Sequence, residues 1–353
     1  MRVRRHVGFY VPATRPYLAS QTYSNSIPNA SCRSAAAATI DQTITFTFAT
    51  PVLARYARRF LFLEFAAYAL AAAVLLEPGV AWSVVLAAIV GLALLMRCVA
   101  VAGTFVLAAT LSPSGESASL SMAGRLRLVG AEIVSTTLAY SVLVSFPGAF
   151  GRPDSRLPPG TGALPVLLVH GYLCNSGIWA HMRRFLEANG VPIYTHDLEP
   201  VYAGIDDYAA ALASRIEDIC LATGAQSLVI VAHSMGGLAA RACLRARGGA
   251  RIAKLVTLGT PHHGTRTAAL GQGLNARQME SSSAWLADLA RDERSLPAVP
   301  ITSIYSNNDN IIVPQESAVL DGAKNVCVSG IGHVSLAFSR TVQETVLEEI
   351  RAV

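Results

Sequence analysis

A strand-to-helix corner with a serine at its apex is the feature that most limits how this chain of 353 residues can fold. Residues 229–231 are apolar and β-branched, a helix is predicted from Met235, and Ser234 lies between them. Such a corner strains the backbone of the serine and needs small residues two positions to either side. Ala232 and Gly236 meet this requirement, although glycine is more usual at the first position. The pattern predicts that Ser234 projects from the edge of a sheet as a nucleophile.

A serine hydroxyl needs a base, and the base needs an acid that orients it. Asp309 lies in a turn-rich loop after a strand predicted for residues 301–305. His333 follows a Gly-Ile-Gly loop after a strand predicted for residues 325–329. Because functional groups gather at the carboxyl ends of parallel strands, we expect Ser234, Asp309 and His333 to meet as a catalytic triad.

Other acids and histidines compete for these roles. The Asn-rich surroundings of Asp309 are also typical of an Asx-type turn, in which the residue would be purely structural. The reserve acids are Asp321 and Glu316. His333 is favoured over the other candidate histidines because it follows the acid in the chain. We interpret His170 and His233 as structural parts of their turns. The other two, His262 and His263, are adjacent in the sequence.

The histidine pair does not predict a metal site. Adjacent side chains point in different directions, and no carboxylate or cysteine cluster accompanies them. We therefore predict neither a metal nor a cofactor.

An oxyanion hole is predicted beside the serine. Residues 165–169 have the composition of a buried strand, which runs into His170-Gly171. Backbone N–H groups aimed at the developing negative charge stabilise an acyl-transfer transition state. The donors expected in this arrangement are the amides of Met235 and Tyr172.

Together these motifs carry a family resemblance. From about Pro165 to its end, the chain resembles bacterial triacylglycerol lipases of the α/β-hydrolase superfamily. The resemblance implies an eight-strand-type, mostly parallel sheet and serine esterase chemistry on acyl esters without a cofactor. Acyltransferases and thioesterases use the same arrangement, so the substrate stays open. The matching motifs are Val169-His170-Gly171-Tyr172, Ala232-His233-Ser234-Met235-Gly236-Gly237, Leu258-Gly259-Thr260-Pro261-His262-His263-Gly264-Thr265, Ser303-Ile304-Tyr305-Ser306 and Gly330-Ile331-Gly332-His333.

Strands and helices are predicted to alternate after Pro165, as in a parallel sheet with crossover helices. Helices are expected at residues 176–189, at 206–223 with Gly224 as their stop, and at 338–353. An insertion over residues 268–296 is interpreted either as a lid or pocket wall or as a surface helix.

The first 160 residues are of a different kind. Residues 60–76 are apolar apart from Glu64, and residues 80–111 contain one charge, Arg97. Runs of this length without polar positions predict a membrane hairpin. Residues 128–146 form a third candidate span, which Glu132 weakens in favour of an interfacial helix. We thus predict two or three transmembrane helices before the α/β-hydrolase fold.

The number of spans decides where the hydrolase lies. Arg55, Arg58 and Arg59 flank the first run, so the N-terminal side is expected in the cytoplasm of a bacterial inner membrane. Two spans would keep the hydrolase on that side, and three would place it outside. The sequence does not decide between these two locations of the hydrolase.

Composition agrees with a chain of two unlike parts, because 52% of residues are apolar and only 14% charged. The predicted divisions are a disordered tail or misassigned start at residues 1–50, a transmembrane region at 51–150, a linker at 151–164 and a catalytic domain at 165–353. The formal charge of +5 does not indicate nucleic acid, because the arginines are dispersed and many flank apolar runs. Attraction to anionic lipid is the simpler consequence.

The resulting hypothesis is a membrane-anchored serine esterase or lipase acting on lipid-like esters, with the bilayer as its partner. The runner-up is an acyltransferase or thioesterase with the same triad. A membrane scaffold with an inactive hydrolase domain is disfavoured by the intact triad.

Overall fold

Six parallel strands form the sheet that positions the candidate site. The computed structural model describes residues 51–75, 79–112, 120–150, 153–155, 164–293 and 299–353. The sheet order is β2-β1-β3-β4-β5-β6, and every neighbouring pair is parallel. The strands are β1 Val166–Val169, β2 Ile193–His196, β3 Leu228–His233, β4 Ile252–Leu258, β5 Ile301–Ser306 and β6 Lys324–Val328.

The central strands are apolar on both faces because helices cover both sides of the sheet. In β1, Leu167 and Val169 face one core, while Val166 and Leu168 face the other. The first core is covered by α6 Ile205–Thr223, α7 Met235–Arg247 and α9 Ala284–Glu293, and the second by α5 Ala180–Ala188 and α10 Arg340–Arg351.

The described part of the sheet has six strands, whereas the resemblance implied an eight-strand type. The difference lies before β1, where the described chain is helical instead of adding strands to the edge. The segments of 24 and 30 residues are too long for strands, and they fold as α1 Val52–Leu75 and α2 Trp82–Leu111. The sheet is parallel throughout its described pairs, as expected.

Two of the described helical stretches are long and apolar enough to cross a membrane. They are α2 and the stretch Met122–Leu143, which consists of α3 Met122–Leu138 and a π-helical turn. α1 is not among them as far as it is described. A short helix, α4 Pro147–Phe150, follows. Residues 76–78, between the two predicted apolar runs, lie outside the described residues.

The helical region and the sheet belong to one compact unit that begins at Ala49. The amide of Val52 donates to Glu199 Oε1 over 2.5 Å, and Arg266 donates to the carbonyl of Leu111. Both the start of α1 and the end of α2 therefore contact the part of the chain that carries the sheet.

The predicted linker is described only in part. Its residues 153–155 run along β2, where the Ser155 amide donates to the Ile193 carbonyl over 2.9 Å. Asp154 also pairs with Arg215 of α6. The other linker residues up to 163, and the tail predicted at residues 1–50, lie outside the described residues.

Candidate active site

Ser234 lies at the corner between β3 and α7, as its sequence context predicts. Its φ of 54° and ψ of −127° are strained for a residue with a side chain, which is typical of a nucleophile elbow. Two hydrogen bonds maintain this backbone: the Ser234 amide donates to the Leu258 carbonyl over 2.8 Å, and Thr260 Oγ1 donates to the Ser234 carbonyl over 2.9 Å.

Small residues allow the corner to pack against β1. A methyl group added at Gly236 would collide with the carbonyl oxygen of His170, and one added at Gly237 would collide with the Thr260 hydroxyl. Ala232 is fully buried in β3, so alanine is accommodated where glycine is more usual. The elbow therefore depends on backbone contact between two neighbouring strand ends.

Asp309 and His333 form a buried pair. His333 Nδ1 lies 2.8 Å from Asp309 Oδ2, and both side chains are almost inaccessible to solvent. The other carboxylate oxygen, Oδ1, accepts the amides of Ile311 and Ile312, each over 2.8 Å. These contacts are compatible with both sequence-based interpretations of Asp309, because one oxygen holds the turn and the other contacts the histidine. The two reserve acids are exposed residues, Glu316 and Asp321.

The surroundings raise the pKa of His333. Burial by itself lowers the pKa of His333, but the charge of Asp309, the hydrogen bond to it and the charge of Glu132 together raise the pKa above its usual value. A raised pKa stabilises the imidazolium that forms when the histidine accepts a proton.

Two further histidines support the turns of the site. His233 Nε2 lies 3.1 Å from the carbonyl of His333, and the two rings are 4.7 Å apart. Burial, followed by the nearby His333, lowers the pKa of His233 to about 3, so it is neutral and donates this bond. His170 Nε2 accepts the Leu198 amide, which leaves Nδ1 to donate to the Gly171 carbonyl, both over 2.9 Å. These contacts agree with the structural role expected for both.

Ser234 and His333 line the same cavity, which has a volume of about 300 Å³. Within the described residues no hydrogen bond joins the serine hydroxyl to the histidine ring, and such bonds are often long before a substrate binds. The sequence thus brings all three predicted residues to one end of the sheet, with the acid and base in contact.

The two predicted oxyanion donors lie beside the serine. A methyl group on Gly171 would be 2.8 Å from Ser234 Cβ, so the backbone entering Tyr172 passes close to the nucleophile. Met235 is the first residue of α7, where helix N–H groups lack intrahelical acceptors. The Tyr172 hydroxyl is bonded to the backbone of Gln272 over 2.8 Å, which holds this loop.

Glu132 of α3 was not predicted to belong to the site. It is fully buried, and its carboxylate accepts the amides of Val334 over 2.8 Å and Ser335 over 2.9 Å, directly after His333. A methyl group on Gly332 would collide with the same carboxylate. Its only sequence signal was a carboxylate within an apolar run, a pattern that often marks function.

Asn310 makes a second connection from the helices to the loops that carry Asp309 and His333. Its Oδ1 accepts the His333 amide over 2.9 Å, and its Nδ2 donates to Thr104 Oγ1 of α2 over 2.7 Å. Thus α3 is bonded to the loop that carries His333, and α2 is bonded to the loop that carries Asp309.

The histidine pair makes protein contacts. His262 Nδ1 lies 3.2 Å from Arg241 Nη1, and Nε2 lies 3.1 Å from Thr257 Oγ1. Burial and then Arg241 hold the pKa of His262 well below its usual value. Within the described ranges, no three His, Cys, Asp or Glu side chains are grouped so that they could hold a metal ion.

The insertion at residues 268–296 folds as α8 Leu274–Gln278 and α9, and its residues 294–296 lie outside the described chain. Leu286 and Leu289 of α9 are buried in the same core as the residues of α7. The wall over Ser234 comes instead from α2 and α3, through residues such as Val101 and Thr136.

Comparisons with known proteins relate part of this chain to α/β hydrolases. Residues 165–276 match the family described as the α/β hydrolase fold. A triacylglycerol lipase of Burkholderia plantarii is 28% identical over 155 residues, covering 40% of this chain and 42% of that protein. One of Pseudarthrobacter phenanthrenivorans is 29% identical over 112 residues, covering 30% and 35%. The matches thus span about two fifths or less of these relatives.

Among solved structures, a Bacillus licheniformis lipase in its mature form has a TM-score of 0.49 and 20% identity, covering 56% of this chain and 96% of that one. The parallel sheet, the elbow after β3 and the family match define an α/β-hydrolase fold. Within that class, the chain is similar in sequence to proteins named triacylglycerol lipase.

Proposed function

We propose that this chain is a membrane-anchored serine esterase or lipase that hydrolyses lipid-like carboxylic esters. The observation that carries the proposal is the strained Ser234 corner opening into the same cavity as the buried Asp309–His333 pair. The sequence similarity to triacylglycerol lipases supports ester chemistry.

In the proposed reaction, His333 takes the Ser234 hydroxyl proton as the oxygen attacks the ester carbonyl. The Tyr172 and Met235 amides stabilise the oxyanion, and Asp309 orients the histidine and stabilises its charge. The proton then passes to the leaving alcohol, and the acyl group stays on Ser234. A water molecule, deprotonated by His333, releases the acid and restores the serine.

Membrane anchoring is supported by the surface of the first helices. Only 11% of the apolar window of α2 is buried, whereas a core helix of a soluble protein would be mostly buried. Large apolar side chains face outward from both α1 and α2, and an apolar surface of this kind favours lipid contact. Examples are Phe60, Phe62, Leu70, Val74, Trp82 and Leu86.

The contacts support two spans over three, with α2 as one and the apolar run predicted at residues 60–76, most of which lies in α1, as the other. Because the start of α1 and the end of α2 both contact the hydrolase part, the hairpin returns to the side from which it leaves. α3 lies against the catalytic loop through Glu132, so a third span would carry that loop into the bilayer. With Arg55, Arg58 and Arg59 in the first two turns of α1 on the cytoplasmic side, we place the hydrolase at the cytoplasmic face of a bacterial inner membrane.

A fluorescent fluorophosphonate tests the nucleophile in membranes that contain the full chain. We expect labelling of the wild type and of Ser214→Ala, a variant of an exposed serine on α6, but not of Ser234→Ala. Labelling that survives in Ser234→Ala, or unlabelled wild type, would refute the proposal. Analysis of the products with added alcohol separates hydrolysis from acyl transfer.

A further inference from the structure

A second cavity lies between α1, α2 and α3, with a volume of about 610 Å³. It shares a wall with the smaller cavity at Ser234. Five residues line both: Ala100, Val101, Thr136, Tyr140 and Leu173. Each volume lies within the range of roughly 300–1,000 Å³ that is typical of ligand pockets.

The walls of this interhelical cavity are mostly apolar. One face of α1 contributes Leu53, Ala57 and Leu61, and α2 contributes Met96. The charged groups in the wall are paired: Arg97 Nη1 lies 2.8 Å from Glu64 Oε1, and Arg97 Nε donates to Ser141 Oγ over 3.2 Å. Charged side chains in apolar surroundings are usually paired with one another, as Arg97 and Glu64 are here.

The cavity opens on the side where the membrane helices are exposed. The lining residues Tyr56, Phe60 and Met96 are 59%, 68% and 46% exposed, although all three are large and apolar. An opening bordered by such side chains favours contact with lipid over contact with water.

We propose that the interhelical cavity is the acyl-chain site of the enzyme, which a long single chain enters sideways from the bilayer. The ester carbonyl would lie at Ser234, and the chain would pass Ala100 and Thr136 into the space between α1 and α2. This inference rests on the proposed esterase function and names its substrate class, long-chain acyl esters held in a membrane. A chain on this route stays in apolar surroundings, so its hydrocarbon is never transferred into water.

The residue that tests the route is Ala100, because a larger side chain there would narrow the shared wall. We compare full-length wild type, Ala100→Phe and Ala88→Phe in detergent micelles. Ala88 is an exposed alanine of the same helix that lines neither cavity. The substrates are 4-nitrophenyl butyrate and 4-nitrophenyl palmitate, and the readout is the ratio of kcat/KM for the long and the short chain.

We expect the ratio to fall about tenfold or more in Ala100→Phe, the discrimination that a misfitted hydrophobic pocket gives, and to be unchanged in Ala88→Phe. A wild type that hydrolyses neither ester would refute the esterase function itself. An active wild type whose ratio is unchanged in Ala100→Phe would refute the acyl-chain site alone.

A covalent probe gives a second measurement that does not depend on the variant folding. A long-chain alkyl fluorophosphonate with a terminal diazirine is attached to Ser234 of the wild type and then photolysed. We expect crosslinks to peptides of α1 or to the part of α2 that carries Met96, Arg97 and Val101. Crosslinks confined to residues 164–353 would overturn the proposed route.

Discussion

The two carboxylate oxygens of Asp309 have separate partners, and this separation makes the acid testable. Oδ1 holds the turn through Ile311 and Ile312, and Oδ2 contacts His333. Asparagine keeps an oxygen for the turn but loses the negative charge beside the histidine.

We therefore predict that Asp309→Asn leaves thermal stability close to that of wild type while kcat falls by about 10³- to 10⁴-fold, as expected when the histidine is held in the wrong tautomer. The measurement is ester hydrolysis alongside thermal unfolding. Activity within tenfold of wild type would mean that Asp309 serves the turn only.

Glu132 acts on His333 through its charge, so replacing it is predicted to change the pH dependence of kcat/KM. Its negative charge contributes to the raised pKa of His333, and the base is active only when neutral, above that pKa. In Glu132→Gln we expect the pKa to fall, so that the acidic limb of kcat/KM moves to lower pH.

The control for this variant is Ser135→Ala. It removes the 3.0 Å contact between Ser135 Oγ and Ser335 Oγ on the same loop without changing charge. Its acidic limb should stay at the wild-type pH. If both variants moved the limb equally, the role of Glu132 would be steric support of the loop.

The residues of the site differ in how far sequence could predict them. Ser234, Asp309 and His333 each follow a strand in a recognisable order, so their convergence follows from the geometry of a parallel sheet. Glu132 meets Val334 across 202 positions of the chain, and no local pattern specifies such a contact. Local sequence indicated only that Glu132 was unusual among apolar residues.

Among the elements, those with strong local signals were predicted closely. α6 begins after Gly204, whose amide donates to Asp207 Oδ2 over 3.0 Å, and it ends where Gly224 adopts a φ of 71°. The sequence was less informative about the region before β1. The length of its apolar runs predicts helices, but it does not predict the surface on which those helices pack. Docking of α2 and α3 on the catalytic loops could not be predicted for that reason.

An ionic cluster joins three strands to the last helix. Glu349 of α10 lies 2.5 Å from Lys254 Nζ of β4 and 2.6 Å from Lys324 Nζ of β6, and it accepts a bond from Thr302 of β5 over 2.7 Å. Burial raises the pKa of Glu349, but these three partners outweigh it and lower the pKa from 4.5 to about 2.

A carboxyl group whose pKa is lower in the folded state than in the unfolded state stabilises the fold at pH values above its unfolded-state pKa. This stabilisation is lost as the pH falls through the folded-state pKa. For Glu349 the loss should occur between pH 4.5 and about 2. We expect Glu349→Gln to lower Tm at pH 7 and the difference from wild type to shrink toward pH 2. Glu344→Gln, an exposed position of the same helix, is the control. A difference in Tm that stays constant with pH would contradict this cluster's role.

At the scale of the whole molecule, the two-span arrangement predicts which side of the membrane the sheet occupies. Cys327 of β6 is exposed, so a membrane-impermeant maleimide can report on it. In sealed spheroplasts we expect wild type and Cys327→Ser to be labelled equally. After permeabilisation, the wild type should gain a signal that the variant lacks. A Cys327-dependent signal in sealed spheroplasts would indicate three spans and an external hydrolase.

The bonds from Glu132 to Val334 and Ser335 also limit how this chain can be divided. A fragment starting at Pro165 would keep every residue of the proposed triad, yet it would leave two amides beside the base without their acceptor. A chimera that grafts this hydrolase onto a foreign anchor would need to import α3 as well. The transferable module is therefore larger than the segment that carries the catalytic motifs.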